Sequence, residues 1–182
     1  MSRLPYINRE DLLPGKQHVF DHIAETRGKV LHVFQAILNS PDAAEAIGLL
    51  GEYIRYKSSL DSAVREISIL ATAWEMKNEY EWTQHVPIAR DAGVREEVIE
   101  AIRLGKAPMG IPSKEGIFAQ GAKELIRDGT LSNRTFQAIE HLLGPVQTVD
   151  LILLVGYYSM LSRLIKALGV ELEDGIEPDL CV

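Results

Sequence analysis

Between residues 12 and 168 the apolar residues of this chain recur three and four positions apart, and no stretch alternates strictly between apolar and polar ahead of an Asn-Gly or Asp-Gly turn. A period of 3.6 gives a helix one apolar face, whereas a half-buried strand needs a period of two. The pattern predicts an all-α fold. With 182 residues, 46% hydrophobic and 25% charged, the chain has ordinary globular composition. A chain of this size buries roughly 70% of the surface its unfolded form exposes, enough to hold polar groups inside an apolar core. Disordered and fibrous proteins are excluded.

Nineteen Lys and Arg against 26 Asp and Glu leave a net charge of -7. That charge repels phosphate backbones unless the basic residues cluster, and here they do not, so no nucleic-acid partner is expected. The single cysteine, Cys181, provides neither an internal disulfide nor a Cys-rich zinc site and fits the cytoplasm. Residues 1–6 meet Pro5 before any apolar run of a signal peptide. The most apolar window, residues 151–162, lies between Asp150 and Arg163 and falls short of the ~20 residues that a spanning helix needs. A cytoplasmic protein with no membrane partner is expected.

The breaks place helices at about 12–27, 29–39, 42–57, 62–77, 79–92, 95–104, 113–127, 132–143 and 145–168. Gly28 and Ser40-Pro41-Asp42 separate the first three, Asp61 or Ser62 caps the fourth, and Gly93 closes the fifth. Pro145 and Gly169 bound the last. Residues 105–112 are the richest Gly/Pro stretch, a candidate functional loop or internal boundary. The chain reads as one all-helical domain over 1–182, with a C-terminal helical half at about 113–170 and a frayed tail from Glu171. The last helix carries apolar residues on more than one face, which predicts burial against its own domain and against another subunit.

Gly-rich phosphate loops, Gly-x-Ser-x-Gly, His-Glu-x-x-His and Cys-x-x-Cys are all absent. What stands out is one helix face on which Asn78, Glu81, Trp82, His85, Ala89 and Ala92 align, with Tyr80, Gln84, Pro87, Arg90 and Asp91 opposite. An unpaired polar group inside an apolar surround costs about 1–3 kcal/mol, so Asn78, Glu81 and His85 must pair or work. Glu81 and His85, four apart, can share a proton, which suits general acid–base chemistry near neutral pH. The same spacing also describes a solvated surface ion pair worth only ~0.2–0.5 kcal/mol. Pro87 either bends this helix near His85 or sits in the first turn of a helix that starts late.

Other polar residues allow two readings each. His18 and His22, four apart with Asp21 and Glu25 nearby, have metal-ligand spacing, but two ligands do not close a site and no metal is expected. His32 and His141 lie among apolar neighbours and read as hydrogen-bonded packing residues. Tyr53, Tyr56, Tyr157 and Tyr158 line a pocket or pack with a polar tip. Arg55 and Lys57 recognise a carboxylate or simply answer a helix C-terminus.

The run 64–70 (Val-Arg-Glu-Ile-Ser-Ile-Leu), Ala73-Trp74-Glu75, the stretch 78–85 (Asn-Glu-Tyr-Glu-Trp-Thr-Gln-His), Ala89-Arg90 and Ala92-Gly93-Val94 resemble the core of the carboxymuconolactone decarboxylase family, whose relatives include alkylhydroperoxidase D type proteins. The resemblance is specific over about 60–102 and looser through 150–158 to Gly169-Val170-Glu171, as in longer members with flanking helices. It implies an all-helical fold, assembly into trimers or hexamers, and an active site near subunit contacts. In the peroxidase branch a Glu precedes Cys-x-x-Cys-x-x-x-His. Here the Glu matches Glu66 and the His matches His85, while the two cysteine positions hold Asn78 and Glu81. Neither residue replaces a thiolate, and Cys181 has no resolving partner in the chain. The decarboxylase branch keeps a His with a Glu four residues earlier, matching His85 and Glu81.

The resemblance therefore implies a cofactor-free lyase of aromatic-compound catabolism acting on a small unsaturated lactone or related carboxylic acid. His85 would donate the proton, Glu81 would orient it and Glu66 would be a second proton-transfer group. Asn78 would polarise the substrate carbonyl, and Trp82 and Tyr80 would form walls. The alternatives are a thiol-dependent peroxidase and a non-catalytic helical binding or assembly module.

Overall fold

The computed structural model describes residues 2–105 and 113–180. Among them are eight α-helices and no strand: α1 (Gln17–Arg27), α2 (His32–Ile37), α3 (Pro41–Glu52), α4 (Ser62–Glu75), α5 (Glu79–Asp91), α6 (Glu96–Arg103), α7 (Ser113–Arg127) and α8 (Asn133–Leu168). The all-α expectation holds. The boundaries shift where backbone chemistry overrides apolar period. Pro14 holds Leu13 extended, at φ -56° and ψ 144°, so α1 starts at Gln17 after two short 3-10 turns rather than at residue 12. Leu31 is likewise extended, which delays α2 to His32. The expected helix over 42–57 is α3 followed by a π-helical turn, Tyr53–Lys57. Residues 106–112 of the candidate loop, and Cys181, lie outside the described residues.

Packing divides the chain into two compact units, one of residues up to 57 together with 164–177, the other of 58–163 together with the residues from 178 onward. In the first, α3 packs against α1 and α2 over a core that includes Val19, Ile23, Val33, Phe34, Ile37 and Ala44. His32 is a packing residue, stacked on Tyr6 with ring centroids 4.2 Å apart, and its Nδ1 lies 3.1 Å from the Glu171 carbonyl oxygen. The His32 N–H donates to Glu173 Oε1 at 3.0 Å, and the Glu171 N–H donates to the Tyr6 hydroxyl at 3.0 Å. The tail after Glu171 is thus tied down rather than frayed, by polar atoms that carry no periodic signal. His141, expected among apolar neighbours, is exposed.

In the second unit α4 is buried from Glu66 through Ala73 and packs against α5, α6 and α7. Its two buried hydroxyls are satisfied within the helix, Ser68 donating to the Val64 carbonyl and Thr72 to the Ser68 carbonyl. Asp61 supplies the cap, accepting from the N–H groups of Ala63 and Val64. α4 passes to α5 through Met76, Lys77 and Asn78, and Lys77 adopts a left-handed φ of 48° that only glycine takes without cost. Gly105 must be glycine, because at φ 59° an added Cβ would stand 2.3 Å from the Trp74 ring.

α8 is broken at Gly144, where φ is 72° and ψ is 174°, and Pro145 opens its second part, the boundary read from the sequence. By length and composition this run is apolar enough to cross a membrane, and half of its most apolar 18-residue window is buried in the fold. Core helices of soluble proteins show the same features. Leu151, Leu154, Val155, Tyr157, Tyr158 and Leu161 face inward, while Val146, Val149, Leu153, Gly156 and Met160 form an exposed stripe.

Candidate active site

The short connection between α4 and α5 sets Glu66 of one helix against His85 of the other. His85 Nδ1 lies 2.7 Å from Glu66 Oε2, and His85 Nε2 lies 3.6 Å from Glu81 Oε2. All three side chains are shut away from solvent, with residue exposures of 1% for Glu66 and 4% for Glu81 and His85. The Tyr158 ring packs edge-on against the imidazole at 5.1 Å, and Tyr157 packs on Tyr158 at 5.4 Å. Arg65 places Nε 3.5 Å from Glu66 Oε1, and that nitrogen is buried without a hydrogen-bond partner among the described residues.

A carboxylate against Nδ1 selects the tautomer with its proton there and leaves Nε2 as the atom that exchanges a proton with a neighbour. Glu66 is therefore the residue in contact with the imidazole, and Glu81, four residues from His85 on the same helix, stands beyond hydrogen-bond reach. Spacing along one helix exposes the second relation but not the first. The contact between Glu66 and His85 is tertiary and depends on the α4–α5 turn.

Asn78 is the N-cap of α5, its Oδ1 accepting from the Glu81 N–H at 3.2 Å. Its Nδ2 is buried with no hydrogen-bond partner among the described residues. Tyr80, read onto the opposite side of the helix, is buried as well, because α5 is enclosed from Tyr80 to Val86 on most of its circumference. Pro87 is interior to α5 rather than in its first turn. It has no N–H to donate to the Thr83 carbonyl, one turn before it.

Trp82 is fully buried, and its Nε1–H donates to Asp179 Oδ2 at 3.0 Å. Arg103, at the end of α6, donates from Nη2 to the same carboxylate at 2.8 Å, donates from Nη1 to the Asp179 carbonyl, and lies over the Trp82 ring at 5.3 Å. Burial pushes the Asp179 carboxyl upward, but the hydrogen bonds from Arg103 and Trp82 outweigh it and hold the group below the usual carboxylate range. No motif marks Asp179 or Arg103 and spacing does not single out Arg65, whereas Tyr158, one of the tyrosines read as lining a pocket or packing, packs on the imidazole.

The remaining expected residues lie elsewhere. His18 Nε2 stands 3.6 Å from Glu45 Oε1, and His22 Nε2 stands 3.1 Å from Glu52 Oε2. Together with Asp21, Glu25 and Leu49, these two histidines line a cleft of about 410 Å³ between α1 and α3. Among the described residues no group of three or more His, Cys, Asp or Glu is arranged to hold a metal ion. Lys57 pairs with Glu52 at 2.8 Å, and the Arg55 guanidinium lies over Tyr56.

Residues 41–123 match the carboxymuconolactone decarboxylase family. No curated protein matches the chain. Among solved structures, an uncharacterized peroxidase-related protein from Ralstonia eutropha JMP134, an alkylhydroperoxidase AhpD core, superposes with a TM-score of 0.79 at 18% identity, covering 98% of each chain. The debrominase Bmp8, as a cysteine-to-alanine variant in complex with 2,3,4-tribromopyrrole, gives 0.77 at 15% identity over 96% of this chain and 95% of that one. An uncharacterized peroxidase-related protein from Silicibacter sp. TM1040 gives 0.77 at 16% identity over 98% and 95%. At such identities these likenesses establish a shared fold.

Proposed function

We propose, on the premise that residues 41–123 are a carboxymuconolactone decarboxylase family segment carried on an AhpD-like fold, that this chain is a thiol-independent acid–base enzyme. Its reaction is the decarboxylation of a small unsaturated lactone or related carboxylic acid. The observation that supports this reading is the buried array in which Glu66 holds His85 Nδ1 at 2.7 Å while Nε2 is directed toward Glu81.

In the proposed step the bond from the substrate's α-carbon to its carboxylate breaks, CO2 leaves, and the electron pair spreads into the conjugated carbonyl as a dienolate. In the reacting form His85 carries a proton on each ring nitrogen. The Nε2 proton goes to that carbon, which leaves the Nδ1–H tautomer that Glu66 favours, and a proton from solvent restores Nε2–H beside the Glu81 carboxylate. Glu66 keeps the ring oriented throughout. The Asn78 Nδ2–H, the donor left over once Oδ1 caps α5, is suited to stabilise the developing enolate oxygen. Arg65 supplies the positive charge that an anionic substrate needs near two carboxylates. Trp82 and Tyr80 stiffen the helix that carries these groups. The substrate's own carbonyl is the electron sink, so the scheme requires no cofactor.

The positions at which the peroxidase branch carries its thiols are the N-cap Asn78 and Glu81, which leaves peroxide reduction without a nucleophile there. The same reading makes the protein a cytoplasmic homo-oligomer, a trimer or hexamer. The exposed stripe of Val146, Val149, Leu153, Gly156 and Met160 supports the self-association alone, because an uncharged helix face of this length favours cover by another helix.

The test follows CO2 release together with deuterium incorporation from heavy water on a panel of unsaturated lactone acids and β-keto acids. The expected result is turnover without added thiol that His85→Ala abolishes. Turnover only with peroxide and thiol, or none with any substrate of the panel, overturns the lyase reading.

A further inference from the structure

The chain end from Pro178 to Leu180 is bound to the same two turns of α5 that carry the candidate site. Glu79, the first residue of α5, receives three hydrogen bonds on one oxygen, Oε1. They come from the Thr83 hydroxyl at 2.8 Å, the Asp179 N–H at 2.8 Å and the Leu180 N–H at 2.7 Å. The Asp179 N–H also reaches Thr83 Oγ1 at 3.1 Å. The Asp179 carboxylate meanwhile accepts from Trp82 and Arg103, and the Leu180 side chain is buried. The residues tied down in this way, Glu79, Trp82 and Thr83, alternate along the helix with Asn78, Glu81 and His85.

A helix turn moves as a body, because its hydrogen bonds fix each residue to the one four positions away. Any roll of α5 that would carry His85 off Glu66 must also drag the Trp82 indole off Asp179 and Glu79 off two backbone donors. Those contacts are mostly charge-assisted, the stronger kind of hydrogen bond. The Glu66 contact tolerates little slack, since 2.7 Å is already close to the short end for a nitrogen–oxygen pair.

We propose that the strap at residues 178–180 is a positioning element for the His85 site, with Asp179, clamped by Arg103, acting through Trp82 to hold His85 in register with Glu66. This rests on the reading of the Glu66–His85–Glu81 array as the working site. Asp179 and Arg103 are positioning residues, which act through their contacts with Trp82.

The experiment uses the full chain and two readouts. Heteronuclear NMR follows the Trp82 indole N–H and the His85 ring N–H, the latter reporting the bond to Glu66. Steady-state turnover on whichever acid the CO2 assay identifies gives kcat and KM. Asp179→Ala is expected to shift both resonances and to lower kcat roughly tenfold with KM little changed, well inside the about 100-fold that a 1 Å misplacement can cost. Asp179→Asn, which keeps an acceptor for the indole, is expected to restore most of both, and it is the deciding variant if the alanine form does not fold. A shift of the Trp82 signal with the His85 signal at its parent position overturns the proposal and leaves the strap as a mere anchor of the chain end. Because the ring signal needs no substrate, failure of the lyase reading shows as absent turnover and is distinguishable from failure of the strap.

Discussion

Two clusters in this chain pair histidine with glutamate at similar distances in opposite surroundings. On the rim of the α1–α3 cleft, His22 and Glu52 stand 3.1 Å apart and His18 and Glu45 3.6 Å apart, with His18 60% and His22 42% exposed. Between α4 and α5, His85 stands 2.7 Å from Glu66 and 3.6 Å from Glu81, with the imidazole 5% exposed. Composition and spacing scarcely separate them, and α1 even offers the tidier pair of histidines. What separates them is burial. Water and salt screen the rim pairs and compete for their hydrogen bonds, whereas the buried imidazole has only the partners the fold provides.

The largest effect should therefore come from Glu66. Glu66→Ala leaves Nδ1 of a buried imidazole without its partner, and we expect a loss of about 1–3 kcal/mol in the denaturant-unfolding free energy. Turnover should fall by about 100-fold or more, the scale of a lost acid–base contribution. Glu81→Gln, close in shape to the parent, should lower turnover comparably but cost less stability, because at 3.6 Å the bond between His85 and Glu66 does not depend on it. Equal stability losses in the two variants would show that Glu81 also anchors the ring, and the division of roles between the carboxylates would have to be redrawn.

Next in size is the turn that brings the buried cluster together. Lys77 at φ 48° carries the cost of a left-handed non-glycine residue, so Lys77→Gly should raise the unfolding free energy by roughly 1 kcal/mol. That gain is reduced by the extra entropy glycine brings to the unfolded chain. Turnover should hold if the turn serves only to join the helices. A fall in turnover would mean that the strained backbone itself sets the Glu66–His85 distance.

This turn also marks where sequence reading stops. The 3.6-residue period located α4 to α8, and the break at Gly144-Pro145 was legible because both residues have fixed backbone preferences. Asn78, Glu81 and His85 were legible as polar residues on an apolar face. That Glu66 rather than Glu81 touches the imidazole was not, since it depends on how two helices pack and no spacing within either encodes it. The strap escaped for a different reason. Residues 178–180 have no apolar period, and their place is fixed by Asp179 meeting Arg103 and Trp82, partners 76 and 97 residues away. The tail after Glu171 reads as frayed by the same rule and is likewise held by contacts distant in sequence.

The smallest effects belong to the cleft, and there the comparison is easiest to break. The Glu52 carboxyl sits below its ordinary value, chiefly through the hydrogen bond from Lys57, with burial opposing and His22 adding to the lowering. A group whose folded pKa is depressed stabilises the fold above its unfolded pKa, about 4.3 for Glu, and that contribution is lost as pH falls through the folded value. Glu52→Gln should thus lower the melting temperature slightly at pH 7 and not at all once the pH is below both values. The difference at pH 7 should shrink at ~1 M salt, where the Debye length is about 3 Å. His22→Ala, which removes an exposed pair, should lower the melting temperature at pH 7 only slightly and leave turnover at the parent rate. A His22→Ala variant that loses turnover, or whose stability deficit survives high salt at the size found for Glu66→Ala, would mean that exposure is the wrong discriminator between the clusters. The cleft would then have to be reconsidered as a second working site.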